Sequence, residues 1–585
     1  MIPGKVRGWL SLALAGSILL ALLDTLGVAA MLPLMQVITT GDTETGVAGT
    51  VARFLGTSEL QSVIIALASI VGLAFLVKSC FSVSFRWWLL GHTTRMMAQA
   101  STELMRRYVL APYAKHKSRN LPEVFRNIGA AVPQAFSQVL LGGLSLIADL
   151  LTLFAMAVVL VAVSPLATLF AGAILGLTSA IIQRVMRRHL LTAGESGAEA
   201  DREAWAALLP GLEGFREARL TSSGSTFIGG FSKAKGKSAD AQRRMSMFSE
   251  LPKYALEITF MIAIIGLTAV LFATSTPSQA IATLGVFAAA SLRMLPTLNR
   301  VTATMASMKS GSVGLGILAR AVQDLDRDRM HSEVTSSDVR YSGDIEINEL
   351  VYRYPDSDVA VLNGLTLTIR AGETTAFVGS SGAGKSTLLD LILGLTTPSS
   401  GAIMAGGRSV TDDLAAWYKT LGVVPQEVYL TNASLRENIA YGLAPEDINA
   451  VQLEKALRDA QLYDFVETLP EKLDTTLGER GVRLSGGQRQ RVGIARALYR
   501  QPSYLILDEA TSALDNVTER QITDTIDTLR GQMTVIVVAH RLSTVKNADT
   551  IIFLDKGNAT SVGTFDELRA SNADFDNLVR LGQLS

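Results

Sequence analysis

Residues 379–387 read GSSGAGKST, and this stretch fits the phosphate-binding pattern G-x-x-x-x-G-K-[ST]. It follows the apolar run 374–378, which predicts a strand, and precedes 387–395, which predicts a helix. Glycines let backbone N–H groups turn towards a phosphate, and the positive end of the helix dipole adds to the attraction. The residues predicted to hold a nucleotide here are Gly379, Ser380, Ser381, Gly382, Ala383, Gly384, Lys385, Ser386 and Thr387.

Two carboxylates downstream complete the chemistry that this loop needs. We expect Lys385 to reach the β- and γ-phosphates and the Ser386 hydroxyl to bind Mg²⁺. The apolar run YLILD at 504–508 predicts a strand that ends in Asp508, and Glu509 follows it. Asp508 is expected to hold Mg²⁺, directly or through water, and Glu509 to polarise the attacking water as general base. The predicted nucleotide and cofactor are therefore ATP and Mg²⁺.

A second anion-binding cradle is predicted at 484–488, which reads LSGGQ and opens the segment RQRVGIARAL. The unpaired N–H groups at the start of a helix bind anions. One nucleotide needs only one such cradle, so two in one chain suggest a site that is shared between chains. The residues of this second cradle are Ser485, Gly486, Gly487 and Gln488.

In their order along the chain, these motifs resemble those of the ATP-binding cassette family over residues of about 343–575. Tyr354, in VYRYP, matches the aromatic residue that stacks on adenine. Gln426, in VVPQE, matches the glutamine that contacts Mg²⁺ and senses the transmembrane domain. His540, in VVAHR, matches the switch histidine at the γ-phosphate, and Asp515 ends the sequence SALD, which resembles the family's D-loop. GERG at 478–481 resembles a short motif of the exporters in this family.

The resemblance implies an α/β P-loop cassette with an α-helical subdomain, and a particular way of using it. Two cassettes are expected to dimerise head to tail, so that Lys385 of one and Ser485 of the other bind the same ATP. One cassette in the chain then requires a second chain. A homodimer is the simplest expectation, and a pair with a different half-transporter is the alternative.

The first 310 residues carry an excess of apolar residues in a chain whose mean hydropathy is +0.31. Short breaks at 164–165 and 274–278 alternate with long polar segments at 91–135 and 191–250. This alternation predicts an all-α domain of six spanning helices with long helical legs on one side of the membrane. The apolar runs long enough to cross about 30 Å of hydrocarbon lie near 9–38, 60–90, 136–163, 166–190, 251–273 and 279–305.

The distribution of basic residues predicts the orientation. Lysine and arginine are concentrated in the two long polar segments and are almost absent from the other connections, Arg53 being an exception. Positive charge is typical of the cytoplasmic side, so the legs and the cassette are expected in the cytoplasm. We expect a multi-pass protein of the bacterial inner membrane. A net charge of zero gives no reason to expect nucleic acid as a partner.

A six-helix region ahead of one cassette resembles the type IV ABC exporter architecture. The expected domains are a transmembrane domain at 1–310, a linker at 311–342 and a cassette at 343–585. Each long polar segment is expected to carry a short transverse helix that docks on a cassette. These helices are placed near 111–119 and 209–220.

Five ionisable residues lie within the predicted spans, at roughly 20–27 Å from the outer ends by helix rise. Such residues are costly in a membrane and usually face a bundle interior or a wet cavity. One interpretation is that they pair and lock the helices. The other is that Arg293, with Lys78 or Arg300, faces a cavity and holds an anionic headgroup. The five residues are Asp24, Lys78, Asp149, Glu257 and Arg293.

Three further stretches favour a lipid as substrate. The sequences at 293–300 and 24–35 resemble segments of lipid-linked oligosaccharide flippases, and so does the outer loop 39–59. That loop predicts a short helix with one apolar face, formed by Val47, Val51, Phe54 and Leu55.

The resulting prediction is an ATP-driven exporter or flippase, an ATP hydrolase that moves a lipid-linked oligosaccharide or another amphipathic lipid. Drugs, peptides or siderophores are alternative substrates, and an importer that uses the exporter fold is a further alternative. A different class, an ATP-gated channel or sensor, also remains open.

Overall fold

The computed structural model describes residues 4–117, 120–163, 165–274, 277–326, 339–354, 357–508, 516–539, 541 and 545–580. The chain divides into two compact units. The first comprises Met1–Ala111 and Ser118–Arg329, and the second comprises Pro112–Lys117 and Met330–Ser585.

The first unit is helical throughout its described secondary structure. A helix pairs its backbone N–H and C=O groups within itself, which is what a segment surrounded by lipid requires. Two stretches with π-helical hydrogen bonding, Asn127–Ala131 and Gln134–Leu140, lie between α6 and α7. The α-helices up to residue 326 are α1 Gly4–Ala29, α2 Met31–Thr40, α3 Gly46–Leu55, α4 Leu60–Val109, α5 Tyr113–Lys117, α6 Leu121–Arg126, α7 Leu141–Val163, α8 Pro165–Glu213, α9 Phe215–Leu220, α10 Gly224–Thr274 and α11 Pro277–Asp326, and all of them except α5 belong to this unit.

Within the described residues, five helical stretches are long and apolar enough to cross a membrane. The sixth predicted span, 279–305, falls in α11, where most side chains between 277 and 293 lie outside the described residues. The chain is therefore a multi-pass membrane protein with several apolar helices. The five stretches are Gly8–Gly27, Leu60–Val109, Leu121–Ala162, Thr168–Glu213 and Gly224–Ala273.

The first predicted apolar run, 9–38, forms two helices rather than one. α1 ends at Ala29 and α2 begins at Met31. Pro33 explains the break, because proline has no N–H to donate and its ring clashes with the carbonyl four residues earlier. α4, α8, α10 and α11 continue well past their apolar portions, as the predicted legs require.

Short helices occur in both polar segments. α5 lies within the predicted transverse helix at 111–119 and belongs to the second compact unit. The structure divides the predicted range 209–220: its first part completes α8, and α9 forms the rest. Gly214 lies between them, where a residue with a poor helix propensity separates the two helices.

The second unit contains two sheets. An antiparallel sheet has the order β2-β1-β4-β5, and a six-stranded sheet has the order β10-β9-β3-β8-β7-β6, parallel from β9 to β6. Parallel strands are buried on both faces, which accounts for continuous apolar runs such as TVIVV in β8. The strands are β1 Ile345–Arg353, β2 Ala360–Ile369, β3 Thr374–Gly379, β4 Ser400–Ala405, β5 Arg408–Ser409, β6 Leu421–Val424, β7 Tyr504–Asp508, β8 Thr534–Val538, β9 Thr550–Asp555 and β10 Asn558–Gly563.

Helices cover both faces of this parallel sheet, and its core includes the fully buried side chains of Trp417, Tyr504 and Phe377. The predicted fold class, a helical membrane region followed by an α/β cassette, is confirmed. The helices of the unit are α12 Lys385–Ile392, α13 Leu414–Thr420, α14 Leu435–Ile439, α15 Ala450–Asp459, α16 Tyr463–Glu467, α17 Gly486–Tyr499, α18 Asn516–Leu529, α19 Phe565–Ser571 and α20 Ala573–Arg580.

Candidate nucleotide site

Several of the predicted site residues lie at one edge of the six-stranded sheet. β3, β8, β7 and β6 are neighbours and run parallel, so their carboxyl ends lie side by side. Gly379 ends β3, Asp508 ends β7, and Gln426 follows β6 by two residues. In open α/β sheets, ligands bind in the crevice at the carboxyl ends of the strands.

The loop between β3 and α12 requires its glycines. Gly382 and Gly384 have φ values of 81° and 99°, in the left-handed region that side chains disfavour. A Cβ atom on Gly384 would come within 2.9 Å of Leu362 Cδ2, and one on Gly379 within 2.1 Å of the Leu554 carbonyl oxygen. Because these positions carry no side chain, the backbone N–H groups of the loop can approach a phosphate closely.

Lys385 is folded back over this loop. Its side-chain ammonium donates hydrogen bonds to the carbonyl oxygens of Gly379, at 2.6 Å, and Ser380, at 3.0 Å, and the residue is 7% exposed. A phosphate in the loop would compete with these neutral carbonyls for the charged donor, and charge-assisted bonds are the stronger ones. Lys385 is thus held at the loop by bonds that an anion can replace.

Oxygen donors suitable for Mg²⁺ come from the same edge. Ser386, at the start of α12, is exposed, Asp508 is partly buried, and Gln426 is exposed. A hydroxyl, a carboxylate and an amide oxygen are hard ligands, which Mg²⁺ prefers together with waters and phosphate oxygens. The donor set therefore fits Mg²⁺ bound jointly with a nucleotide.

Tyr354 lies beside the phosphate loop. Its hydroxyl is 3.1 Å from Thr387 Oγ1, and its ring makes an edge-to-face contact with Tyr352, with centroids 5.2 Å apart. The residue is 43% exposed. A partly exposed ring held by its neighbours is suited to stacking on a base.

The second cradle opens helix α17. Ser485 is the N-cap: its hydroxyl accepts a hydrogen bond from the Gln488 backbone N–H at 3.3 Å, and Gln488 Oε1 accepts one from the Ser485 N–H at 2.8 Å. This reciprocal capping box orders the first turn. Ser485 is exposed, so a pre-organised helix N-terminus is presented to an anion.

Several predicted residues lie outside the described part of the chain. Glu509 follows directly on β7, His540 comes two residues after β8, and Asp515 precedes α18, but none of the three is described. The side chain of Arg293 also lies outside the described residues. Their predicted roles stay predictions.

The other intramembrane charges are mostly paired. Lys78 Nζ lies 2.8 Å from Asp24 Oδ1, and both side chains are buried. Arg300 lies 2.9 Å from Asp149 but is 55% exposed. Among the described residues, Glu257 forms no ion pair. The ion pair with Asp24 therefore explains why Lys78 can be buried between helices. A role of Lys78 or Arg300 in a substrate cavity stays a prediction.

Buried polar residues of α17 were not predicted from the sequence. Gln490, which is 7% exposed, donates from Nε2 to the carbonyl oxygen of Gln426 at 3.2 Å and so connects α17 to the segment after β6. Arg496 donates to the carbonyl oxygens of Asn438 and Tyr429, each at 2.8 Å, and burial lowers its pKa. The sequence signal that could have revealed them is the high proportion of polar residues in RQRVGIARAL, which is unusual for a buried helix.

A glycine-rich phosphate loop at the carboxyl edge of a parallel sheet defines a nucleotide-binding P-loop domain, here joined to a membrane region. Residues 362–512 match the ABC transporter family. The structure of a bacterial Atm1-family ABC exporter with ATP bound superimposes with a TM-score of 0.79 at 25% identity, covering 98% of both chains. The cassette therefore matches the ABC transporter family and is a nucleotide-binding domain, and the chain as a whole has the fold of an ABC exporter half-transporter.

Curated relatives are similar over part of their length. An ATP-dependent lipid A-core flippase of Alkalilimnicola ehrlichii is 42% identical over 50% of this chain and 50% of its own length. The heterocyst differentiation ATP-binding protein HepA of a Nostoc species is 36% identical over 58% of this chain and 55% of its own. The chain thus spans about half the length of the curated relatives it matches.

Proposed function

We propose that the protein is an ATP-driven exporter or flippase, in which ATP hydrolysis at the cassette is coupled to movement of an amphipathic molecule. The observation that carries this proposal is the joining of a P-loop cassette to apolar helices in the fold of an exporter over 98% of the chain. ATP binding would bring two cassettes together, and the helical legs would transmit this movement to the membrane helices. Hydrolysis would let the cassettes separate again.

The proposed substrate is a lipid-linked oligosaccharide or another lipid. The names of flippase relatives support a lipid. So does α3, where Phe54 is 91% exposed and Val47 and Leu55 are also exposed, although Val51 packs against the neighbouring core. An exposed apolar helix of this kind suits a membrane surface or a lipid tail. Drugs, peptides and siderophores are alternative substrates, and import is the alternative direction.

The site residues are proposed to act as follows. Lys385 and the backbone of the phosphate loop bind the β- and γ-phosphates, and Tyr354 stacks on adenine. Ser386, Asp508 and Gln426 hold Mg²⁺, which neutralises charge on the phosphates. Glu509 accepts a proton from the attacking water, and His540 contacts the γ-phosphate.

A second copy of the chain is the proposed partner, with a different half-transporter as the alternative. In either dimer, Ser485, Gly486, Gly487, Gln488 and Asp515 of one chain would complete the site that contains Lys385 of the other. We further propose a bacterial inner membrane location with the cassette in the cytoplasm, and domains at 1–310 and 343–585 joined by 311–342.

The first test is the ATPase activity of the purified full-length protein in nanodiscs, with and without lipid-linked oligosaccharide. Activity that this lipid stimulates supports the homodimeric flippase. Basal activity that ignores the lipid supports an exporter of another substrate, and no activity in the protein alone points to a different partner chain. An ATP-dependent ion conductance without net transport would instead favour the channel.

Mixing two inactive variants tests the shared site. Lys385→Ala and Ser485→Ala each damage both sites of a homodimer. A mixed dimer keeps one site in which Lys385 and Ser485 are both intact. Activity recovered after mixing and reconstitution supports the shared site, and no recovery above the separate variants contradicts it.

A further inference from the structure

An apolar cavity lies within the membrane region, between α7, α8, α10 and α11. Its volume is about 100 Å³. Thr168 is the polar side chain among the described residues that line it, and the rest of the wall is apolar. A buried water needs about two to four polar partners, so the cavity is not suited to water.

Small residues leave this space open. Ala157 of α7, Gly172 of α8 and Ala263 of α10 line the cavity from three helices. Nearby, a comparable space is filled, because Phe170 of α8 packs against Gly266 of α10, where an added Cβ would lie 3.1 Å from the ring. At Gly172, an added Cβ would have no described atom within 4 Å. The cavity is therefore a gap that the described side chains do not fill.

The cavity extends from the core of the helical unit to its surface. Leu160, Leu267 and Phe287 form its innermost wall and are 5%, 2% and 6% exposed, as members of one buried cluster. Gly172, on the same wall, is exposed. An apolar chain that entered beside Gly172 would reach side chains that the surrounding membrane does not touch.

The depth of the cavity matches the end of a lipid chain. Measured from the helix ends that face away from the long polar segments, at about 1.5 Å per residue, Leu160 lies roughly 5 Å along α7, Gly172 roughly 11 Å along α8 and Ala263 roughly 17 Å along α10. The hydrocarbon core of a bilayer is about 30 Å thick, so its midplane lies about 15 Å from either surface. The cavity therefore spans the depth from the outer part of one leaflet to the midplane, where acyl chains end.

The driving force for filling the cavity is packing rather than transfer from water. Lipid tails are as apolar as the side chains of the wall, so removal from water favours neither. An empty space deprives the atoms around it of dispersion contacts, and a chain placed in it restores them. A water molecule takes up about 30 Å³ in the liquid and a methylene group is of similar size, so the cavity has room for about three methylenes but not for a headgroup.

We propose that this cavity binds the end of an acyl chain of a bilayer lipid, which enters beside Gly172 and packs against Leu267 and Phe287. The lipid is held through its chain, because the wall offers little to a polar group. The site is distinct from the nucleotide site, and it does not depend on which molecule is transported.

Photo-labelling of the full-length protein in nanodiscs tests this proposal. The nanodiscs are made of phosphatidylcholine, a small part of which carries a diazirine at the end of one acyl chain, and labelled residues are mapped by mass spectrometry. We expect label on Ala263 and Leu267, although both are buried. Val63 and Leu67, which are buried in the cluster beside α3, should stay unlabelled. A diazirine next to the carboxyl group of the chain should label neither pair.

Filling the cavity provides the matched variants. Ala263→Leu places a larger apolar side chain inside it and should lower the labelling of Leu267 by about tenfold or more, since a single methylene in an apolar pocket has an effect of that size. Ala269→Leu is the same change at an exposed position of α10 that does not line the cavity, and it should leave labelling within a factor of about two. If Ala263→Leu does not fold, Ala157→Leu takes its place with the same control.

Adding lipid-linked oligosaccharide separates the two sources of an acyl chain. Labelling of Leu267 that persists after this addition supports a bilayer lipid as the occupant. Loss of the label would overturn the proposal and assign the cavity to the transported lipid. Label at Leu267 no stronger than at Val63 and Leu67, or an equal loss in Ala263→Leu and Ala269→Leu, would overturn it as well.

Discussion

The cassette and the membrane region use polar residues in opposite ways. At the edge of the six-stranded sheet, Ser386 and Gln426 are exposed, and Lys385 is held by neutral carbonyl oxygens that a phosphate can replace. In the membrane region, Lys78 is neutralised by Asp24 and both are buried. The difference teaches that a charge bonded to neutral carbonyl oxygens at a loop must be distinguished from a charge that pairs with an opposite charge to join two helices.

The largest expected effect concerns Glu509, the predicted general base of the cassette. Glu509→Gln removes the proposed general base but keeps the size of the side chain, so we expect ATP turnover to fall by about 10²- to 10⁴-fold while ATP binding persists. Steady-state hydrolysis and the amount of nucleotide retained after gel filtration measure the two effects. Glu446→Gln, at an exposed position of the cassette, is the control. Rapid hydrolysis by Glu509→Gln would place the base elsewhere.

The second effect tests the neutralised charges of the membrane region. Asp24→Asn leaves the Lys78 ammonium buried without its carboxylate, and breaking a buried pair from one side costs about 3–5 kcal/mol. Thermal unfolding in detergent should show this loss, and the swap Asp24→Lys with Lys78→Asp should recover part of it. Asp149→Asn is the matched comparison, because its partner Arg300 is 55% exposed, and we expect about 0–1 kcal/mol there.

A different result would break the comparison between the two regions. If Asp24→Asn kept its stability but lost substrate-stimulated ATPase activity, Lys78 would be available to a substrate after all. The cavity interpretation would then replace the pairing interpretation for this residue.

The sequence predicted individual residue contacts in the phosphate loop but only the positions of helices in the membrane region, and the reason is physical. In the phosphate loop, the residue types are dictated locally, because Gly384 must adopt a positive φ and Lys385 must reach an anion, so a short pattern was enough. In the membrane region, hydropathy located the apolar helices, and the helix at 46–55 was anticipated from one apolar face. Partners such as Asp24 for Lys78 depend on which helices pack together, and a single sequence does not contain that information.

Local chemistry also explains two features that the sequence interpretation missed. Hydropathy treats 9–38 as one run, although Pro33 forces a new helix at Met31. The buried Gln490 and the partly buried Arg496 were not predicted because their partners are backbone carbonyls, and these are brought close only by the packing of α17.

A third effect measures how much stability the cassette loses when a buried side chain, Tyr504, becomes charged. Tyr504 is 1% exposed and donates to the Gly343 carbonyl oxygen at 2.9 Å, and burial, with the nearby Asp344, raises its pKa to about 12. The unfolded tyrosine ionises near pH 10, so the stability from the neutral form is complete below pH 10 and is lost as the pH rises towards 12. The loss amounts to at most about 2.7 kcal/mol.

Tyr504→Phe should remove this alkaline loss while costing about 1 kcal/mol at neutral pH for the missing hydrogen bond. Chemical unfolding of the full-length protein at pH 9, 10 and 11 measures both. Tyr463→Phe, on the short helix α16, controls for the loss of one tyrosine. If Tyr504→Phe lost as much stability at high pH as the wild type, another group would be responsible for the loss. Burial of Tyr504 would then not be what makes the cassette sensitive to high pH.

The smallest expected effect concerns Tyr354, a predicted ligand contact that carries no charge. Tyr354→Ala removes a ring whose stacking contributes about 0.5–1.5 kcal/mol, so the ATP concentration for half-maximal hydrolysis should rise about 2- to 12-fold with maximal turnover retained. Tyr354→Phe keeps the ring but loses the 3.1 Å contact with Thr387, and it should behave nearly as the wild type. If Tyr354→Phe were as impaired as Tyr354→Ala, the hydroxyl contact to α12 would be the important one. Tyr354 would then resemble Asp24 and Lys78, as a residue that joins two elements of the protein, rather than Lys385, which is held ready for a ligand.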